Sequence, residues 1–325
     1  YVGARSADDL VLVSDASEGL NTVARSLVFE RGDVILQTSF AYRAVRGIYR
    51  YLHDRFGVDV VTVQLPFPGI DDDAVEQRVA SALQQLAAEK RTVRLAEFDH
   101  IGADPAVVMP VKKLVALSKS YGVHFVLIDG AHAPGQLPLN VTDIGADGYV
   151  GNHHKWLCST RTSAFLHVPD PRWQRRMHPT TLHELYNKTG RWQEEFAWIG
   201  TRDYSAFFAV KDAIAFRRRL TDEAVHAYNN ALCEKAGSAL RERWSTPVPN
   251  SPSFSLVNVQ VPCNVAMPEC YDWDAPSMTQ ALVQRGFWVT VYEFNSLIFV
   301  RISCEVYNTF DEYVALADAV DDVVR

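Results

Sequence analysis

Val126-Leu127-Ile128-Asp129-Gly130-Ala131-His132 is a wholly apolar run that ends in a carboxylate, two small residues and an imidazole. Three apolar residues halted by an Asp-Gly pair read as a buried strand rather than a helix. The same reading recurs at 33–37, 59–64, 92–98, 124–128, 148–150 and 163–168. Between these runs lie helical patterns such as 74–89 and 111–121. Strands alternating with helices predict an α/β fold with a mostly parallel mixed sheet. In such sheets ligands sit beyond the carboxyl ends of the strands, so polar residues directly after strands are the places to search. From Tyr204 the pattern turns to long helix, reaching about Trp244, with proline-rich turns at 247–252. Strands at 254–261, 287–293 and 297–303 follow, with helices at 277–285 and 310–324. This predicts a large domain over residues 1–215 and a smaller α+β carboxyl-terminal domain over 216–325.

The bulk chemistry narrows the class. The 325 residues are 48% hydrophobic and 22% charged, with a net charge of −7. An acidic balance without a Lys/Arg run speaks against nucleic acid or an anionic membrane as partner. No run approaches the roughly 20 apolar residues of a membrane helix. Cys158, Cys233, Cys263, Cys270 and Cys304 show neither a CxxC pair nor zinc-ligand spacing, which predicts core thiols in a reducing, cytoplasmic setting. The chain begins at Tyr1 and enters folded-looking sequence at once, so a preceding amino-terminal segment is expected.

Four places carry chemistry, each with a plainer reading beside it. Asp129 at a strand end either caps the next turn or holds a cationic ring nitrogen. Twenty-six residues on, Gly151-Asn152-His153-His154-Lys155-Trp156-Leu157 sets a lysine among aromatic and apolar neighbours. A lone lysine is commonly a solvated surface group, but in such surroundings it can serve as an amine nucleophile. The His pair has no carboxylate at ligand spacing, so no metal is expected. Ser14-Asp15-Ala16-Ser17-Glu18-Gly19 reads as a polar turn opening a helix: a simple N-cap or an anion site. Arg301, inside Phe299-Val300-Arg301-Ile302-Ser303, is either an ordinary buried ion-pair partner or a fork for a substrate carboxylate.

In this order the residues resemble the class V aminotransferase family, a branch of the fold type I pyridoxal 5'-phosphate enzymes, on its isopenicillin N epimerase-like and C–S lyase-like side. Asp129-Gly130-Ala131-His132-Ala133-Pro134-Gly135-Gln136, Gly151–Leu157, Gly200-Thr201-Arg202-Asp203-Tyr204 and Arg301-Ile302-Ser303 with Tyr307-Asn308 carry the likeness, which runs from about Asp9 to Asn308. The resemblance implies a PLP-dependent transferase-like fold and the following roles. Lys155 carries the cofactor, Asp129 faces its ring nitrogen, and His132 lies near its phenolic oxygen. Ala16 and Ser17 hold the phosphate with Asn152 and His154. Tyr42 stacks on the ring, and Asp99 and His100 line its far edge. Thr201 reaches the phosphate of a neighbouring subunit, which implies a homodimer. Arg301 binds the carboxylate of a small amino-acid substrate. Arg43 stands where glycine is usual, Ser14–Ser17 replaces Asn-Ala-Thr, and Ile101-Gly102-Ala103 replaces a Thr-Ser pair.

The reaction implied is β-elimination at a C–S bond of a cysteine conjugate, with epimerisation or transamination as alternatives. A persulfide route is disfavoured, since 286–300 contains no cysteine. A nucleotide-binding oxidoreductase lacks its GxGxxG. A catalytically inactive binding protein of the same fold has no reason to keep Lys155, Asp129 and Arg301.

Overall fold

The computed structural model describes residues 1–188, 190–247, 255–264 and 273–324. From residue 248 on, the proline-rich turn lies outside the described residues, as do Phe254 and Cys270. The chain divides into two compact units: Tyr1–Leu65, Asp71–Gly102 and Met109–Arg219 form one, and Pro66–Ile70, Ala103–Val108 and Leu220–Arg325 the other.

The first unit is the expected α/β body. Its elements run β1 (Leu10–Val13), α1 (Ala16–Ser26), β2 (Val34–Thr38), α2 (Arg43–Phe56), β3 (Asp59–Val63), α3 (Asp72–Ala88), β4 (Val93–Asp99), α4 (Val111–Ser120), β5 (Val126–Asp129), α5 (Val141–Ile144), β6 (Gly148–Asn152), β7 (Ala164–His167), α6 (Pro171–Gln174), α7 (Trp192–Ala197) and α8 (Ser205–Leu220). Seven strands form one sheet in the order β1-β7-β6-β5-β4-β2-β3. The strands from β6 to β3 pair in parallel, and β7 runs antiparallel to both β6 and β1. Every residue of β5 and β6 is buried, which is why these strands read as unbroken apolar text rather than as alternation. Leu20 and Val23 of α1, Tyr49 and Leu52 of α2, and Leu127, Val150 and Leu166 of the sheet share one core. Each such aliphatic side chain contributes about 1.5–3 kcal/mol by leaving water.

The second unit holds α9 (Asp222–Trp244), β8 (Leu256–Asn264), α10 (Ala275–Gln284), β9 (Thr290–Phe294), β10 (Leu297–Ser303) and α11 (Phe310–Val324). Its three strands pair antiparallel in the order β8-β10-β9. Leu240, Val259, Leu282, Val300 and Val320 are among the core residues beneath them. Two earlier stretches of chain are built into this unit. The Phe67 ring packs 5.5 Å from Phe294 and 5.1 Å from Phe299. Asn258 accepts from the Ala106 N–H at 3.0 Å and donates to the Ala106 carbonyl at 2.8 Å, in the manner of a strand partner.

Two expectations need correcting. The helical pattern from Tyr204 to Trp244 is two helices, because Thr221 takes φ 62° and its side chain caps α9 by accepting from the Ala224 N–H. Cys158 is not a core thiol: it is exposed, in a turn where its φ of 62° leads the chain away from the buried Leu157. Cys233 and Cys304 are buried as expected.

Candidate active site

Three adjacent parallel strands end along one edge of the sheet. Asp99, last in β4, pairs in register with Asp129, last in β5. Asp129 in turn pairs with Val150 of β6, whose end at Asn152 leads directly into His153, His154 and Lys155. The topology thus delivers the carboxylate and the amine to one place. Gly130 is required there, since a Cβ would stand 2.1 Å from the Tyr149 hydroxyl oxygen.

Asp129 is 3% exposed, and its Oδ1 accepts from the Ala131 N–H at 2.9 Å. Among the described residues it has no ion-pair partner within contact. Burial pushes its carboxyl pKa up, while the Ala131 N–H and the charge of Lys155 pull it down. Lys155 is exposed, and its Nζ lies 3.0 Å from Nε2 of His132. The buried Trp156 indole donates from Nε1 to Nδ1 of His132 at 3.2 Å. His100 places its Nδ1 2.8 Å from the Tyr149 hydroxyl, and burial lowers its pKa to about 4, so the ring is neutral.

At the start of α1, Asp15 caps the helix by accepting from the Glu18 N–H at 2.8 Å. Glu18 reaches back to accept from the Ser14 N–H at 2.6 Å. The Ala16 N–H donates to Oδ1 of Asn152 at 2.9 Å, tying the helix start to the end of β6. This approach depends on Gly19, where a Cβ would meet a Val150 methyl at 2.8 Å. His154 donates from Nδ1 to the Ser163 carbonyl at 2.9 Å, and burial lowers its pKa.

The structure therefore brings Asp99, His100, Asp129, His132 and Lys155 to one strand-end edge, with Ala16, Ser17, Asn152 and His154 grouped at the α1 start. Tyr42 instead sits at the N-cap just before α2 and is 43% exposed. Thr201 is exposed ahead of α8. Arg301 lies in the second unit, where its Nη1 donates to the Ala103 carbonyl at 2.7 Å and meets Asp104 at 3.4 Å, and its Nη2 donates to Thr290 at 3.1 Å.

Three residues escaped the sequence reading. Trp156 was visible only as an apolar neighbour of Lys155. Arg217 of α8 is 1% exposed and donates to the carbonyls of Gly135 at 2.7 Å and Trp156 at 3.3 Å, pinning the two loops that bear His132 and Lys155. Glu97 is wholly buried, and neither of its carboxyl oxygens has a hydrogen-bond partner among the described residues. Oxygens of Glu97, Asp99 and Asp129 lie within 4.8 Å of one another. Burial first, then Asp99 and Asp129, push the Glu97 pKa well up, against a smaller opposing effect of Arg46.

That shift has a measurable sign. A carboxyl whose pKa is raised by folding binds more protons folded than unfolded. Its stabilising effect is complete below its unfolded value, about 4.5, and is lost as pH rises towards the folded value. Glu97→Gln is therefore expected to raise Tm more at pH 8 than at pH 5, by thermal melts across that range. Equal changes at both pH values would contradict a strained buried acid.

A family model described as aminotransferase class-V matches residues 1–315. The chain belongs to the class V aminotransferase family. A rice (Oryza sativa subsp. japonica) relative with the provisional name L-cysteine desulfhydrase 1 is 38% identical over 321 residues, covering 91% of this chain and 65% of its own length. The L-cysteine desulfhydrase of Arabidopsis thaliana is 30% identical over 352 residues, covering 100% of this chain and 76% of its own. The chain thus spans about two thirds to three quarters of these relatives. Among solved structures, the Escherichia coli cysteine desulfurase CsdA superposes with a TM-score of 0.75 at 19% identity, covering 99% of this chain and 80% of that one. Family and fold agree with the fold type I resemblance. Among the described residues, no helix is long and apolar enough to cross a membrane.

Proposed function

We propose that the chain is a pyridoxal 5'-phosphate enzyme that cleaves a C–S bond by β-elimination on a cysteine-type amino acid, with Lys155 as the residue that carries the cofactor. One observation supports this above the others: Asp129 is a buried carboxyl without an ion-pair partner among the described residues, beside the Lys155 amine on a strand-end edge. A lone buried carboxylate is costly, and a protonated pyridine nitrogen is the cation that would complete it. The class V family and the names of the plant relatives support the same chemistry.

Bound there, the cofactor supplies an electron sink for a carbanion at the substrate Cα. The side chains do the rest. Asp129, as an anion, holds a proton on the ring nitrogen. The α1 start at Ala16 and Ser17, with Asn152 and His154, would hold the phosphate, where the helix terminus favours an anion. His132 would serve the phenolic oxygen, and His100, with Asp99, would line the far edge. Tyr42 is the aromatic proposed to stack on the ring. Lys155 Nζ takes the Cα proton, and a thiolate leaves from Cβ. A substrate α-carboxylate calls for a guanidinium fork, and Arg301 is the residue proposed for it. Thr201 is assigned to the phosphate of a second copy, in a homodimer. The thiols at Cys158, Cys233 and Cys304 suit a reducing compartment such as the cytosol.

The test supplies L-cysteine, or a cysteine S-conjugate, to the enzyme loaded with pyridoxal 5'-phosphate. Pyruvate, ammonia and sulfide or thiol are expected in equal amounts. Loss of chirality at Cα without thiol release would overturn elimination in favour of epimerisation.

A further inference from the structure

Glu97 and Asp99 stand two residues apart on β4 and so face one side of the sheet, and Asp99 pairs in register with Asp129 on β5. Leu95 and Leu127 share that side and pack in one core with Tyr49 and Leu52 of α2. All three carboxyls are buried, and an oxygen of each lies within 4.8 Å of the other two. Among the described residues, neither oxygen of Glu97 has a hydrogen-bond partner, and Oδ2 of Asp99 has none. A separate group, from α2, meets them. The Tyr49 hydroxyl is buried and also has no hydrogen-bond partner among the described residues. Burial first, then the charges of Glu97, Asp129 and Asp99, push its pKa well up.

Two cations act on the three carboxyls. Arg46 of α2, whose guanidinium donates to the Ser39 and Ala41 carbonyls, acts on Glu97 and Asp99. Lys155 acts on Asp99 and Asp129. Tyr149 of β6 in turn feels the charge of Asp129. Burial raises all three carboxyl pKa values, and repulsion within the group adds to this at Glu97 and Asp99. Carboxylates this close, out of water, do not all stay ionised; they share protons. Protons also answer the orphan oxygens, since a protonated carboxyl donates where its neighbour accepts. The spacing is one that side-chain rotation closes to hydrogen-bond length.

We propose that Glu97, Asp99 and Asp129 form a proton-sharing chain with one negative charge in all: Glu97 is a neutral acid that donates to Asp99, Asp99 donates to Asp129, and Asp129 bears the anion. Glu97 and Asp99 are then positioning residues that act through Asp129. Each donor polarises the next, so the single anion is supported from behind on the carboxyl that a pyridinium nitrogen would face. The charge count concerns the chain alone; its use rests on the proposed role of Asp129 towards the ring nitrogen.

The first test takes the full chain freed of cofactor by dialysis, at neutral pH. In infrared difference spectra, Glu97→Gln is expected to lose absorption of a protonated carboxyl, and Asp129→Asn to lose absorption of a carboxylate. Loss of carboxylate absorption in Glu97→Gln would overturn the proposal. Magnesium or calcium ions are expected to leave its Tm unchanged; a rise in the native protein that Glu97→Gln abolishes would overturn it in favour of a metal site with ionised carboxyls. The second test follows pyridoxal 5'-phosphate affinity by tryptophan fluorescence. Glu97→Gln, neutral and still a donor, is expected to bind within about twofold of the native protein. Glu97→Leu, neutral and no donor, is expected to bind about fivefold more weakly, the equivalent of one hydrogen bond of about 1 kcal/mol. Equal affinity in a Glu97→Leu protein with native circular dichroism would overturn the positioning role. Failure of the cofactor reading would appear instead as no binding by any form, with the infrared result intact.

Discussion

Lys155→Ala is expected to abolish the visible absorption of the cofactor-loaded protein and to cut C–S cleavage by at least about 10³-fold, within the range typical of a lost proton-transfer group. The size follows from two roles meeting in one nitrogen. In the proposed mechanism Nζ is both the anchor for the cofactor aldehyde and the base for the Cα proton, so the substitution removes both at once. The fold should not suffer. Lys155 is exposed, and truncating a surface side chain changes stability by roughly 0.5 kcal/mol or less. A folded Lys155→Ala protein that keeps wild-type turnover would remove Lys155 from the mechanism.

Asp129→Asn separates charge from shape. Asn keeps an oxygen able to accept from the Ala131 N–H, a bond of 2.9 Å in the native protein, and fills the same space. What it loses is the anion that holds a proton on the ring nitrogen. Turnover is expected to fall on the order of 10²-fold, comparable to the loss of one preorganised electrostatic partner. Stability should move the other way. Burial raises the Asp129 pKa, so its carboxylate form costs stability as pH rises above the usual carboxylate range. Cofactor-free Asp129→Asn is therefore expected to melt at or above the wild-type temperature at neutral pH. Adding cofactor should raise the wild-type Tm more than that of the variant. Equal stabilisation of both by cofactor would show that Asp129 does not serve the ring nitrogen.

These residues were legible in the sequence for a physical reason. A buried parallel strand announces itself as unbroken apolar text, so the first polar residue at its end marks the strand-end edge of the sheet, as Asp129 and the Asn152–Lys155 run do. Residues that act through distant partners leave no such mark. Arg217 reads as one of three successive arginines at the end of an ordinary helix, yet it alone among them is buried, against carbonyls 61 and 82 positions away. Glu97 was hidden inside an apolar strand, where a single carboxyl looks like a break in pattern. Trp156 reads only as an apolar neighbour of Lys155, and its indole N–H meets His132 because the His132 loop folds back to it. The break between α8 and α9 was missed because Thr221 breaks no helical periodicity; its side-chain cap and backbone angle decide the matter. Cys158 shows the same limit: its apolar neighbours are buried, and one left-handed residue turns it outward.

The most direct measurement is reduction of the cofactor-loaded protein with borohydride, followed by proteolysis and peptide mass spectrometry. One pyridoxyl group fixed on the peptide at Lys155, and absent from Lys155→Ala, is the predicted result. A label on another lysine, or none after saturation with pyridoxal 5'-phosphate, would contradict the assignment.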